Sequence, residues 1–181
     1  MSALRIRAAH PADAPAIARV HVQAWHESYR GLIPDTTIAA LSVEHSAGMW
    51  ADILAQDQQA SVVLVVERAS EHDHEIVGFG SAGTTRNAAL GATGEIMAIY
   101  LLDAVKRRGL GRSLLTQLLR ALAAHDHRSA GLWVLVDNHG TRRFYETLGG
   151  RTGVMRESDD SHVRMREIAY VWDDLTRLPS G

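Results

Sequence analysis

The chain has 181 residues, 46% of them apolar and 22% charged, with a net charge of −2 and no cysteine. That length suits a single domain over residues 1–181 with a substantial core. The charge balance argues against a dedicated nucleic-acid binder, and the missing cysteines exclude disulfides, thiolate metal sites and a cysteine nucleophile. The N-terminal residues lack an apolar signal core, and no run approaches the ~18 apolar residues of a membrane span. A soluble cytoplasmic protein with no nucleic-acid or membrane partner is the expectation.

Residues 4–8 alternate apolar and basic, as an edge strand would. Pro11 opens a helix to about Tyr29, with Ile17, Val20, His21, Ala24 and Trp25 on one stripe, and Gly31 and Pro34 end it. A second helical region covers residues 35–56 with a break near Ser42. Residues 61–68 form a β-branched strand and residues 71–75 a charged turn; residues 76–83 are the antiparallel partner. After a polar loop at 84–93 come a strand at 95–102, a helix at 109–124, a strand at 131–137 and a short helix at 141–148. Residues 149–157 and 163–173 close the chain as an antiparallel pair around a turn at 158–161. The strand–helix–strand unit at 95–137 demands a right-handed crossover and a parallel pair. The expected fold is therefore α/β: a mixed, mostly antiparallel sheet of about seven strands, with helices on both faces.

The most telling segment joins that strand to its helix. Arg107-Arg108-Gly109-Leu110-Gly111-Arg112 follows an apolar strand and precedes Leu114, Leu115, Leu118, Leu119 and Leu122 at helical spacing. Glycines allow close backbone approach, and the first turn of a helix presents unpaired N–H groups to an anion. Lys106 and the three arginines add positive charge there. A phosphate or pyrophosphate is the expected ligand. The segment lacks the Gly-Lys-Ser/Thr ending of a P-loop and the third glycine of a dinucleotide fingerprint.

The stretch Gly94-Glu95-Ile96-Met97-Ala98-Ile99-Tyr100-Leu101, followed by Lys106 to Leu115, resembles the acetyl-CoA segment of the GNAT superfamily of N-acetyltransferases. A second family segment is matched by Leu132-Trp133-Val134-Leu135-Val136-Asp137-Asn138 and then Arg143-Phe144-Tyr145-Glu146-Thr147-Leu148-Gly149. The likeness spans residues 4–175. It departs at Lys106, where Gln or Arg is usual, and at Gly150, where Phe is common. The second departure is expected to thin local packing and alter the acceptor pocket.

The resemblance implies splayed central parallel strands. Backbone groups of Ile99, Tyr100 and Leu101 would pair with the pantetheine arm of acetyl-CoA. Pyrophosphate would sit on the amides from Arg107 to Arg112, including Gly109, Leu110 and Gly111, with Lys106 beside them. Asn138 would bond the pantetheine amide or cap the following helix. Tyr145, seven residues after Asn138, would contact the cofactor and protonate the departing thiolate; the alternative is a packing aromatic. Glu95 is the candidate base, against the alternative of an exposed strand-end carboxylate, and Glu167 and Tyr170 are weaker candidates. Trp25 and Tyr29 lie four apart and would line the acceptor pocket or anchor their helix. Arg142 and Arg143 would reach the adenosine phosphate or form a solvated face. The ten histidines are scattered, so no metal site is expected.

The implied activity is acetyl transfer from acetyl-CoA to a primary amine by direct attack in a ternary complex. The balanced charge and the lack of an appended recognition domain favour a small-molecule acceptor. A protein or peptide acceptor, and a non-catalytic acyl-CoA sensor domain, are the alternatives. A homodimer is compatible with this reading.

Overall fold

Seven strands form one sheet in the order β1-β2-β3-β4-β5-β7-β6. They are β1 (Ala3–Ala8), β2 (Ser61–Ala69), β3 (His74–Thr84), β4 (Gly94–Leu101), β5 (Ala130–Leu135), β6 (Arg151–Asp160) and β7 (Val163–Trp172). The helices are α1 (Ala14–Tyr29), α2 (Asp35–Ala39), α3 (Val43–Ala55), α4 (Leu110–Ala124) and α5 (His139–Thr147). This computed structural model describes residues 3–56, 61–69, 74–160 and 163–178. Among them no helix is long and apolar enough to cross a membrane.

Every strand pair is antiparallel except β4 with β5. The parallel pair exists because α4 carries the chain back across one face before β5 begins. On that face Leu114, Leu115, Leu118, Leu119 and Leu122 of α4 are buried against the sheet. Their i, i+4 spacing makes the apolar stripe, and each buried leucine contributes roughly 1.5–3 kcal/mol. On the other face α1 and α3 cover β2, β3 and β4 through Ile17, Val20, Trp50, Val65 and Phe79. Strand alternation divides β4 between the two layers. Ile99 and Leu101 pack on the α4 side, while Ala98 and Tyr100 pack on the α1 and α3 side.

Several boundaries differ from expectation for local reasons. Pro11–Asp13 is a single 3-10 turn, and α1 proper starts at Ala14, with Asp13 held by Arg7 at 2.7 Å. The charged turn expected at 71–75 lies mostly outside the described residues. Its last member, Glu75, stands in β3 opposite Arg68 of β2 and pairs with it. β6 runs to Asp160, so residues 158–160 of the expected turn belong to the strand, and Ser161 lies outside the described residues. β5 stops at Leu135, where the Asn138 amide bonds the Leu135 carbonyl at 3.0 Å and turns the chain into α5.

Gly150 corrects the expectation of thinned packing. A Cβ there would lie 3.0 Å from both Trp172 Cζ2 and the Tyr145 carbonyl oxygen. Trp172 fills the space instead and donates its indole N–H to the Leu148 carbonyl at 2.9 Å.

Candidate active site

The basic turn after β4 is shaped by two left-handed residues, Arg107 (φ 60°) and Gly109 (φ 79°). Gly109 is the N-cap of α4, a conformation only glycine adopts without strain. The first helical bond of α4 runs from the Ser113 amide to the Gly109 carbonyl at 3.0 Å. The amides of Leu110, Gly111 and Arg112 therefore precede the ladder, at the positive end of the helix dipole. Arg107, Arg108 and Arg112 are exposed and have no ion-pair partner among the described residues. These are features that suit an anion.

Two members of the segment do something further. Lys106 Nζ lies 2.6 Å from Asp103 Oδ1 and donates to Ser28 Oγ at 3.4 Å, tying the turn to the end of α1. A Cβ on Gly111 would lie 3.2 Å from Phe144 Cζ, so this glycine admits an α5 ring against α4. Its small size serves packing, which the reading of both glycines as ligand-approach residues did not include.

Next to this turn the sheet opens. Register slips between β3 and β4: Ser81 faces Ala98 and Ala82 faces Ile96, leaving Met97 as the extra residue of a bulge. β4 pairs with β5 only at Gly94–Ala130 and Glu95–Gly131. Beyond Glu95 the strands diverge around a cavity of about 90 Å³, lined by Met97, Ile99, Asn138, Thr141, Tyr145 and Ser28 among others. Leu102 donates its amide to Val77 at 3.0 Å. Antiparallel alternation then turns the Tyr100 backbone towards β3 and leaves the Ile99 and Leu101 backbone groups facing the opening. Of the three β4 residues expected to pair with pantetheine through their backbone, the alternation suits Ile99 and Leu101.

Asn138 caps α5, its Oδ1 accepting from the Thr141 amide at 3.2 Å, and still lines this cavity. Tyr145 is 5% exposed, and burial pushes its phenol above the usual range. Phe144, Tyr170 and Trp172 surround its ring at 5.3, 5.9 and 6.2 Å. Its hydroxyl has no hydrogen-bond partner among the described residues. The Tyr170 hydroxyl is already engaged: it donates to Glu146 at 2.5 Å and accepts from Arg142 Nε at 3.2 Å. Arg142 also bonds the Val136 carbonyl at 2.9 Å, so this arginine holds the fold and is not a solvated face.

A larger cavity of about 540 Å³ lies on the α1 and α3 side. It shares Tyr29, Ile96, Met97, Tyr100 and Trp133 with the first, so the two meet at the bulge. Trp25, Tyr29, Trp50, Tyr100 and Trp133 line it beside aliphatic, polar and charged side chains. Trp25 donates its indole N–H to Tyr100 Oη at 3.1 Å, and Tyr29 Oη lies 3.1 Å from the same oxygen. Burial pushes both phenols up. Trp25 thus both anchors α1 and lines the cavity.

Two Arg–Glu pairs provide its charge. Glu95 is 4% exposed and accepts from the Arg86 amide at 2.9 Å and its guanidinium at 3.1 Å. It is a buried carboxylate and not an exposed strand end. Glu167 accepts from Arg156 Nε at 2.8 Å, and Arg156 stacks 4.0 Å from the Trp133 ring centroid. Arg86, Arg156, Trp50, Trp133 and the role of His21 were not singled out from the sequence. Arg86 sits in a polar loop with no periodicity, and the others read as ordinary alternation or helix stripe. Among the described residues no three His, Asp or Glu side chains converge as a metal-binding group.

Comparison with known proteins agrees with this geometry. Residues 22–149 match the model of the Acetyltransferase (GNAT) family. The chain is 30% identical over 179 residues to the N-acetyltransferase YuaI of Bacillus subtilis, covering 96% of this chain and 95% of that protein. Its fold is similar to that of the PaiA N-acetyltransferase of Thermoplasma acidophilum, solved in complex with coenzyme A, with TM-score 0.72 and 16% identity. That likeness covers 94% of this chain and 99% of the other. YncA of Salmonella typhimurium, solved with its cofactor acetyl-CoA, superposes with TM-score 0.70 at 18% identity, covering 98% of this chain and 97% of the other. With the family model matching well over half of its length, this chain belongs to the GNAT family of acetyltransferases.

Proposed function

We propose that this acetyl-CoA-dependent N-acetyltransferase acetylates the primary amine of a small molecule, by direct attack within a ternary complex. The observation that carries the reading is the meeting of two cavities at the β4 bulge, one beside the basic turn and one lined in part by aromatic side chains. Acetyl-CoA supplies an activated acetyl group as a thioester. The residues fit it: unpaired amides and free arginines for pyrophosphate, and open backbone groups at Ile99 and Leu101 for an extended amide-bearing arm. The volume of the second cavity suits a small ligand.

Each residue has a defined task. Glu95 takes a proton from the ammonium of the acceptor, directly or through a water, so that the nitrogen has a free lone pair. Arg86 holds that carboxylate in place with two hydrogen bonds. A cleft-facing N–H of β4 donates to the oxygen on which negative charge develops. Tyr145 donates from its hydroxyl to the leaving sulfur. Burial lifts the phenol, and the same low-dielectric setting raises the proton affinity of a thiolate formed beside it. Nitrogen loses two protons, one as the ammonium becomes the free amine and one as the amide forms; one equivalent ends on sulfur through Tyr145 and the other passes from Glu95 to solvent, which balances the reaction.

The test is a screen of thiol release from acetyl-CoA over amino acids and their amides, polyamines, aminoglycosides and peptides. Turnover of at least one small amine is expected, with peptides inert. Turnover confined to peptide N-termini or lysines would reverse the acceptor class. Tight acetyl-CoA binding with no turnover of any amine would favour a sensor domain.

A further inference from the structure

We infer that His21 is a specificity-determining residue of the acceptor cavity, and that its Nε2–H reads a carbonyl or carboxylate oxygen carried by the amine. The inference rests on the acceptor reading of the larger cavity and adds the chemistry of what enters it.

The ring has a single allowed arrangement of its proton. Trp50 Nε1 lies 3.3 Å from His21 Nδ1, and Ser46 Oγ lies 3.2 Å from the same nitrogen. An indole N–H is only a donor, so Nδ1 must accept. Burial holds the imidazole neutral, with a pKa of about 4. A neutral imidazole carries one N–H, which is therefore on Nε2. Trp25, Trp50, Phe79 and Tyr100 surround the ring with centroids 5.6–6.0 Å away, so it is fixed in orientation.

That N–H finds no acceptor among the described residues. His21 lines the larger cavity, and among the described residues nothing accepts from Nε2. The two arginines of the cavity are already on Glu95 and Glu167. Trp133 Nε1 also lacks a partner, but it is sealed from solvent and does not present itself to an entering molecule. His21 is thus a fixed, uncharged donor set among aromatic walls. An amine with an apolar body and a carbonyl oxygen satisfies it. An otherwise identical amine without that oxygen displaces water from the N–H and returns nothing.

The experiment titrates matched amines into the protein saturated with coenzyme A. L-phenylalaninamide is compared with 2-phenylethylamine, and L-leucinamide with 3-methylbutylamine; each pair differs by one carboxamide. The wild-type protein should prefer the carbonyl member at least ~10-fold, the scale of one well-placed hydrogen bond. His21→Asn keeps an oxygen near the Trp50 N–H and loses the distant donor, so the preference should fall to near unity while coenzyme A binding is unchanged. Trp50→Phe keeps His21 and frees the proton to shift between nitrogens, so the preference should fall only partly. Nitrogen-15 NMR of the wild type should show the Nε2–H tautomer, with that signal moving when phenylalaninamide binds. A preference unchanged in folded His21→Asn, an Nδ1–H tautomer, or no binding of either carbonyl amine would overturn the inference. If His21→Asn does not fold, Trp50→Phe and the NMR signal decide it. A protein that shows the preference but acetylates no amine would sink the proposed activity and leave this inference standing.

Discussion

Glu95 and Arg86 are joined twice, by the Arg86 amide at 2.9 Å and by its guanidinium at 3.1 Å, at the point where β4 leaves β5. The carboxylate is buried while the arginine side chain is largely exposed, so one partner is held and the other is its lid to solvent. This arrangement fixes a buried carboxylate at the cavity wall, and its proposed role as the base motivates the first prediction. Glu95→Gln should lower acetyl transfer by ~10²–10⁴-fold with acetyl-CoA affinity unchanged, the usual size of a general base. Arg86→Ala should cost less, because the backbone amide bond to Glu95 survives. Steady-state kinetics on a proven acceptor checks both, and a fully active Gln variant would move the base elsewhere.

The left-handed cap of α4 sets the second. Gly109→Asp places a negative charge against the helix N-terminus where pyrophosphate would lie, and should weaken acetyl-CoA binding about 10- to 100-fold. Gly109→Asn has the same size and tolerates positive φ, so it should retain most of the affinity. Calorimetry on the two variants separates charge from strain. Gly111→Asp is a poorer probe, since any side chain there pushes on Phe144.

Tyr145→Phe separates chemistry from binding. The ring stays wedged among Phe144, Tyr170 and Trp172, and only the hydroxyl is lost. Acetyl-CoA affinity should change little while single-turnover acetyl transfer falls ~10²–10⁴-fold. An equal loss in affinity and rate would assign the hydroxyl to holding the cofactor. Single-turnover measurement is needed because slow product release hides a chemical defect.

The half-buried His21 makes a prediction about acid. Its pKa is about 4 in the folded protein against 6.5 as a free side chain, because burial disfavours the cation. Between those values the unfolded chain binds a proton that the folded one refuses, so folding stability falls as pH drops from 6.5 towards 4. The contribution is about 2–3 kcal/mol, reduced from the full linkage value because the ring borders an open cavity. His21→Asn has no such titration. Chemical denaturation of both proteins at several pH values should show the wild type losing ground to the variant across that window. Parallel stability curves would mean that His21 is solvated.

Periodicity and turn chemistry carried most of the fold. The β-branched run of β2, the leucine stripe of α4 and the strand–helix–strand order were enough for a mixed sheet with one parallel pair, because local spacing dictates which face is buried. The local geometry of residues 106–112 was also legible, since a glycine turn before a leucine helix needs no distant partner to present its amides. The structure decided what depends on residues far apart in sequence. The Met97 bulge exists only in the pairing of β3 with β4, and it selects which β4 backbone groups face the opening. Trp50 and His21 lie 29 residues apart, yet their contact determines which ring nitrogen holds the proton. Gly150 resembles a packing defect until Trp172 is seen occupying the missing side chain's space. A sequence specifies such contacts only through the folded chain, because a hydrogen bond's direction and a cavity's wall depend on positions that no local pattern encodes.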